Sequence, residues 1–104
     1  MKDYINSNIK SVNVEFIQNL VASHFNLNIQ ELLSPRRARS LARPRQIAMY
    51  LAKQHTTNSL PDIGRKFSNR DHTTVIHAVK KINELIKKDN EIKQSVIEIR
   101  KKLF

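Results

Sequence analysis

The densest run of hydrogen-bonding side chains in the sequence is Asn69-Arg70-Asp71-His72-Thr73-Thr74, and it continues without a break into the apolar helical repeat Val75-Ile76-His77-Ala78-Val79. Three kinds of chemistry could be built on it. A metal site needs convergent ligands, but His72 and His77 are five residues apart, which separates them by roughly 140° on a helix. The chain also lacks cysteine and a convergent carboxylate pair, so no metal site is expected. A nucleophile, base and orienting group in the Ser-His-Asp manner cannot be argued from any spacing in the chain, and no enzyme is expected. The third chemistry is recognition. Asp71 is of N-cap type, so a helix starting behind it presents His72, Thr73 and Thr74 at its leading end, and a recognition helix meets DNA with that end.

The elements that position this run can be read on both sides of it. Val75, Ala78, Val79, Ile82, Leu85 and Ile86 share one helical face, opposite Thr73, His77, Lys80, Lys81, Glu84 and Lys88. Upstream, Ser59 is a candidate cap for Leu60-Pro61-Asp62-Ile63-Gly64-Arg65-Lys66-Phe67, with Asp62 three residues on as in a capping box and proline in the first turn. Ser68-Asn69-Arg70 has the length of the turn in a helix-turn-helix, which therefore spans about residues 59 to 88.

The remaining chain reads as further helices. Residues 1–11 carry Asn, Ser and Lys with one apolar pair and read as a linker, leaving 12–104 as the domain. Asn13 caps a helix on which Val14, Ile17, Leu20 and Val21 recur as far as Phe25; Asn26-Leu27-Asn28 interrupts it. Ile29, Leu32 and Leu33 make a short helical turn that Ser34-Pro35 ends. Arg36 to Arg43 lacks an apolar period and is expected to be a loop. Pro44 then restarts a helix with Ile47, Ala48 and Leu51 inward and Arg45, Gln46 and Lys53 towards solvent. After Lys88, Asp89-Asn90 breaks the pattern and Ile92, Val96, Ile99 and Leu103 form a last helix that closes the core. No alternating β-branched run occurs, so the expected fold is all-α with about six helices.

Composition narrows the function classes. The single glycine, Gly64, excludes a phosphate-cradling P-loop and a dinucleotide fingerprint, both of which need several. No cofactor is expected for this domain. The absence of cysteine suits a reducing compartment, and no secretory or membrane-spanning run is visible, so a soluble cytoplasmic protein is expected. Nineteen Lys and Arg against nine Asp and Glu give a net charge of +10, which attracts polyanions. Placement says more than the sum. No acidic residue lies between Glu31 and Asp62, while Arg36, Arg37, Arg39, Arg43, Arg45 and Lys53 fall inside that window. Arginine in place of lysine favours bidentate contacts with phosphates and bases.

Two long motifs in this order, Leu60-Pro61-Asp62-Ile63-Gly64 followed by Arg70-Asp71-His72-Thr73-Thr74-Val75, resemble the signature of the DnaA family of bacterial replication initiators. The stretch from Arg36 to Met49 is similar to that family's basic loop and following helix, and the resemblance covers the chain from about Val12 onward. It implies a sequence-specific reader of double-stranded DNA at A·T-rich origin boxes in the bacterial nucleoid. Arg37 is then expected in the minor groove and Arg45 at a guanine in the major groove. Asp71, His72 and Thr73 are expected to read bases from the recognition helix, and Pro61 to touch a thymine methyl. Gln46, Lys53, Arg70 and Thr74 are expected on phosphates, and His77 is expected to be structural. The resemblance also implies that ATP belongs to a separate preceding domain, that one box takes one monomer, and that acidic phospholipid is a candidate partner near residues 1–10. The residues between the motif halves, Arg65-Lys66 and Ser68-Asn69, depart from the family pattern and are expected to tune affinity. The competing reading is an unspecific binder of RNA or acidic lipid driven by charge alone; the low aromatic content, with no tryptophan, argues against stacking on single strands.

Overall fold

A computed structural model describes residues 13–34 and 39–103, all of whose regular structure is helical: α1 (Val14–His24), α2 (Ile29–Leu33), α3 (Arg39–His55), α4 (Leu60–Lys66), α5 (His72–Lys88) and α6 (Asn90–Leu103). The expected linker of residues 1–11 and Arg36 and Arg37 of the basic stretch lie outside the described residues. The described residues thus have the six-helix, all-α fold expected of the chain.

Local chemistry sets most of the boundaries. The Asn13 carboxamide oxygen accepts from Phe16 N at 2.8 Å and starts α1. Asn26 ends it in the left-handed region, φ 56°, with Leu27 N donating to Ala22 O at 2.8 Å, a geometry asparagine tolerates well. Ser34 is extended (φ −69°, ψ 157°), as the residue before a proline should be. Ser59 Oγ accepts from Asp62 N at 3.3 Å, with Pro61 in the first turn of α4, while the Asp62 carboxylate pairs with Arg65. Asp89 does more than break the pattern: its Oδ1 accepts from Glu91 N at 3.0 Å and so starts α6.

One boundary differs from expectation. The basic stretch becomes helical at Arg39, five residues before Pro44, and Pro44 sits buried inside α3. Leu41, Pro44, Arg45 and Ala48 are all buried at i, i+3, i+4 and i+7, a complete apolar-face pattern in which two places are taken by a proline and an arginine. Pro44 forgoes the bond its N–H would have made to the carbonyl of Ser40, near the start of the helix.

The core joins every helix except the rims: Val14, Ile17 and Val21 of α1, Leu32 of α2, Ile47 and Leu51 of α3, Ile63 of α4, Val75 and Ile82 of α5 and Ile99 of α6 are fully enclosed. α5 packs chiefly on α3 and then on α4, so it is seated on two other helices. Phe67, directly after α4, is 1% exposed, a burial that stabilises by about 1.5–3 kcal/mol and anchors the turn into α5. Gln18 is also enclosed, and its Nε2 donates to Lys66 O at 2.9 Å, tying α1 to the end of α4. Lys66 Nζ returns the tie to Glu15 Oε2 at 2.9 Å.

Two titratable groups make the fold pH-sensitive in separate windows. Burial, followed by the Arg100 guanidinium, pushes His55 below the ordinary imidazole value of 6.5. The unfolded chain therefore takes up the proton first as pH falls, and stability is lost from about pH 6.5 downward until the folded-state value is passed. The bond from Lys66 is the main cause holding Glu15 below the carboxylate value of 4.5, so its contribution persists above that pH and is lost only at stronger acidity. Urea midpoints at about pH 7.5 and about pH 5.5 should fall for the native chain, and the fall should be smaller for His55→Gln. An equal fall in both would assign the acid sensitivity elsewhere.

Candidate nucleic-acid interface

The leading end of α5 carries the polar run. Asp71 occupies the N-cap position in extended conformation (φ −65°, ψ 149°), but its carboxylate makes no cap bond; Oδ1 lies 3.2 Å from His72 Nδ1. The expectation that Asp71 caps through its side chain is corrected in that respect. The carboxylate is 67% exposed and the imidazole 51%, so both face outward. A neutral His72 that donates from Nδ1 keeps Nε2 as an acceptor. Thr73 and Thr74 follow, both exposed, and Thr74 N donates to Asp71 O at 3.0 Å.

The turn that holds this end is tight. Ser68 (φ 65°) and Asn69 (φ 56°) both lie in the left-handed region, and Arg70 N donates to Gly64 O at 2.8 Å. Arg70 crosses α4 so closely that a Cβ on Gly64 would sit 2.2 Å from the Arg70 carbonyl oxygen. The one glycine of the chain stands where two backbones touch.

One flank of α5 faces a groove of about 420 Å³ whose polar wall is Arg39, Arg45, Gln46, Arg70, Thr74 and His77, over an apolar floor of Ala42, Met49 and Ala78. Three of the four expected phosphate contacts, Gln46, Arg70 and Thr74, are thereby brought together. Arg43 Nη1 donates to Gln46 Oε1 at 2.6 Å, which occupies the amide oxygen and leaves the NH2 group as the donor. The other flank faces an apolar hollow of about 200 Å³ formed by Leu60, Ile76 and Val79 between Lys53 and Lys80. Thr74, His77 and Ala78 lie roughly 160° around the helix from Ile76, Val79 and Lys80, so Lys53 is separated from the other three. Helix α3 serves both sides, because Arg39, Ala42, Gln46 and Lys53 fall within a stripe of roughly 60°. Pro61 is exposed on the first turn of α4.

Arg45 departs most from expectation. Instead of pointing to solvent it is 6% exposed. Its Nε donates to Leu32 O at 2.7 Å, and its Nη2 reaches Ser34 O at 2.6 Å, Ser34 Oγ at 3.0 Å and Glu31 O at 3.1 Å. Burial, and then the nearby Arg70 guanidinium, pull its pKa below the ordinary arginine value. The physical reason is supply and demand: a five-residue helix ends in carbonyls that need donors, and a guanidinium carries five. The sequence reading gave Arg39, Lys80 and His77 no place in the site. Arg39 stood in the acid-free window, and Lys80 and His77 on the outer helical face, which were the available signals. Among the described residues no group of His, Cys, Asp and Glu is placed to hold a metal, and no helix is long and apolar enough to cross a membrane.

Comparison with known proteins decides the family. Residues 14–82 match the family described as the bacterial dnaA protein helix-turn-helix. The chain belongs to that family. It is 50% identical over 103 residues to the chromosomal replication initiator protein DnaA of Gluconobacter oxydans (strain 621H), covering 99% of this chain and 22% of that protein. It is 52% identical over 99 residues to the DnaA of Wolbachia pipientis wMel, covering 95% of this chain and 22% of that protein. A crystal structure described as a DNA replication initiation factor superposes with a TM-score of 0.77 at 30% identity, over 98% of this chain and 31% of that one. The DnaA-type domain thus spans about a fifth of the length of these curated relatives, and its motif halves fall on α4 and the start of α5.

Proposed function

We propose that this chain binds double-stranded DNA sequence-specifically, at origin boxes of the DnaA type, as the DNA-reading part of a replication initiator. The observation that carries the reading is the placement of cations on both flanks of an exposed polar helix tip: Arg39 and Arg70 on one side, Lys53 and Lys80 on the other. A major groove admits one helix between two phosphate strands, and a protein entering it needs positive charge on each side. A charge-driven binder of unspecific polyanions needs no such bracket around Asp71, His72 and Thr73.

In this reading Asp71 accepts from a cytosine amino group, His72 and Thr73 meet neighbouring base edges, and Pro61 packs on a thymine methyl. Gln46, Arg70, Thr74 and Lys53 take phosphates, with Arg39 and Lys80 joining them. Arg37 enters a narrow A·T-rich minor groove, whose negative potential suits a guanidinium. Arg45 is given no base, because its donors are engaged on the carbonyls of residues 31, 32 and 34. ATP is handled outside this chain, and binding needs no nucleotide. Residues 1–10 are the place to look for contact with acidic phospholipid.

Titration of a labelled duplex carrying a family-type box against a scrambled duplex tests the proposal. Single replacements sharpen it. His72→Ala and Thr73→Ala remove exposed side chains, and the tie lost is the Asp71–His72 pair, worth little at the surface. Melting should stay within about 2 °C of the native chain, while specific binding weakens by about 1–3 kcal/mol and scrambled binding barely changes. A marked loss of melting temperature would make these residues part of the fold; equal loss on both duplexes would make them phosphate contacts.

A further inference from the structure

Helix α2 is five residues long and cannot satisfy its own C-terminal carbonyls, so where they find donors is informative. Four consecutive carbonyls, those of residues 31 to 34, receive side-chain donors from elsewhere in the fold. Arg45 of α3 serves Glu31, Leu32 and Ser34. From the turn of the helix-turn-helix, Ser68 Oγ donates to Leu33 O and Arg70 Nη2 to Ser34 O at 3.2 Å. The Ser34 carbonyl therefore accepts from two guanidinium groups on two different elements. Its position in the chain gives this weight: in sequence Ser34 directly precedes the Pro35 that opens the basic segment, and Arg70 immediately precedes Asp71 at the reading tip of α5.

We propose that Arg45 is a positioning residue: by sharing the carbonyls of residues 31–34 with Ser68 and Arg70, it fixes where the chain enters the basic segment relative to the helix-turn-helix. Ser34, from which that segment leaves, and the tip of α5 are then held at one set spacing, and the functional half of this inference rests on the DNA reading above. The chemistry requires a guanidinium. Its nitrogens diverge in a plane and reach three carbonyls and a hydroxyl at once, whereas a lysine ammonium is a point that can serve one corner of this set. Two arginines on one carbonyl repel each other, so the arrangement holds only while the acceptors stay where they are. Ser68, whose backbone is in the left-handed region, adds a tie from the turn's own side.

Arg45→Lys keeps charge and most of the stem, and Ser68→Ala removes the opposite tie at an exposed position; the second variant carries the test if the first does not fold. Hydrogen exchange without DNA is measured at the amides of residues 32–34 and 69–70. In either variant both segments should exchange at least tenfold faster together, while the core amides of α1 and α6 stay unchanged. Acceleration of residues 32–34 alone would reduce Arg45 to a local cap and overturn the coupling. Duplexes altered one base pair at a time supply the second readout. Arg45→Lys should lose discrimination about tenfold at the pairs that Arg37→Ala affects and retain it at those that His72→Ala affects. Uniform weakening across the panel, or loss at the His72 pairs, overturns the positioning role. A native chain that binds specific and scrambled duplexes alike sinks the DNA reading, and the exchange result then decides the coupling by itself.

Discussion

Gly64→Ala is expected to lower the melting temperature by roughly 10 °C and to weaken binding to a specific duplex at least tenfold. The sign runs against local propensity, since alanine within a helix is favoured over glycine by about 1 kcal/mol. What outweighs it is contact. The new methyl would lie 2.2 Å from the Arg70 carbonyl oxygen and 3.2 Å from its carbon, and the obstacle is backbone, which has no rotamer to move aside. Overpacking of this kind costs about 1–3 kcal/mol, and here the top of that range applies. Relief requires moving Arg70 away from α4, which breaks its 2.8 Å bond to Gly64 O and disturbs a turn already holding Ser68 and Asn69 at positive φ. A net loss of about 2 kcal/mol in a domain of this size shifts melting by about 8–16 °C. Because Asp71 follows Arg70 directly, the folded fraction also carries a displaced reading tip. Circular-dichroism melting and duplex titration of the same sample check both halves. A melting temperature at or above that of the native chain would mean that the turn yields without cost and that Gly64 is not what sets it.

That dependence of the reading tip on one glycine bears on how far the sequence could be read. Elements whose chemistry is local were legible: Asn13 and Ser59 as caps, Ser34 ahead of proline, and the apolar face from Val75 to Ile86. Legibility stopped where a residue's role is set by a distant partner. Arg45 was expected at the surface because an arginine on a helix usually is; what buries it is a set of carbonyls 11 to 14 positions away in sequence, which no local pattern displays. The same buried arginine, with Pro44 beside it, hid the apolar face of the first turns of α3 and made a helix look like a loop. Gln18 was invisible for a like reason, since its partner is the end of a helix 48 residues on. The candidate site divides similarly. Asp71, His72, Thr73 and Thr74 were readable as an exposed tip, whereas the bracket of cations around it needed the packing of α3 against α5. Arg39 and Lys80 entered the site only then.

The bracket leads to the second large effect, a steep dependence of binding on salt with specificity preserved. Arg39 and Arg70 on one flank and Lys53 and Lys80 on the other, with Arg37 of the basic segment, would neutralise about five phosphates, so log K should fall against log salt with a slope of about −4 to −5. Between 50 and 200 mM salt that amounts to a loss of roughly 10²·⁵ to 10³ in affinity. The base contacts proposed for Asp71, His72 and Thr73 would release few counterions, so the ratio of specific to scrambled affinity should stay within about threefold over the same range. The proposed reading also sets a stoichiometry. It joins two different elements, the tip of α5 and the basic segment before α3, where a dimeric helix-turn-helix would use one element twice, so a single box should hold one protein. Titrations across a salt series, with the mass of the complex followed by light scattering, separate the terms. Lys80→Ala should flatten the slope by about one on both duplexes, which no effect on base reading would produce. Two proteins on one box would sink the monomer reading. Curves for specific and scrambled duplexes that coincide at every salt concentration would leave only charge as the driving force, and the bracket around α5 would then be a polyanion surface with no sequence to read.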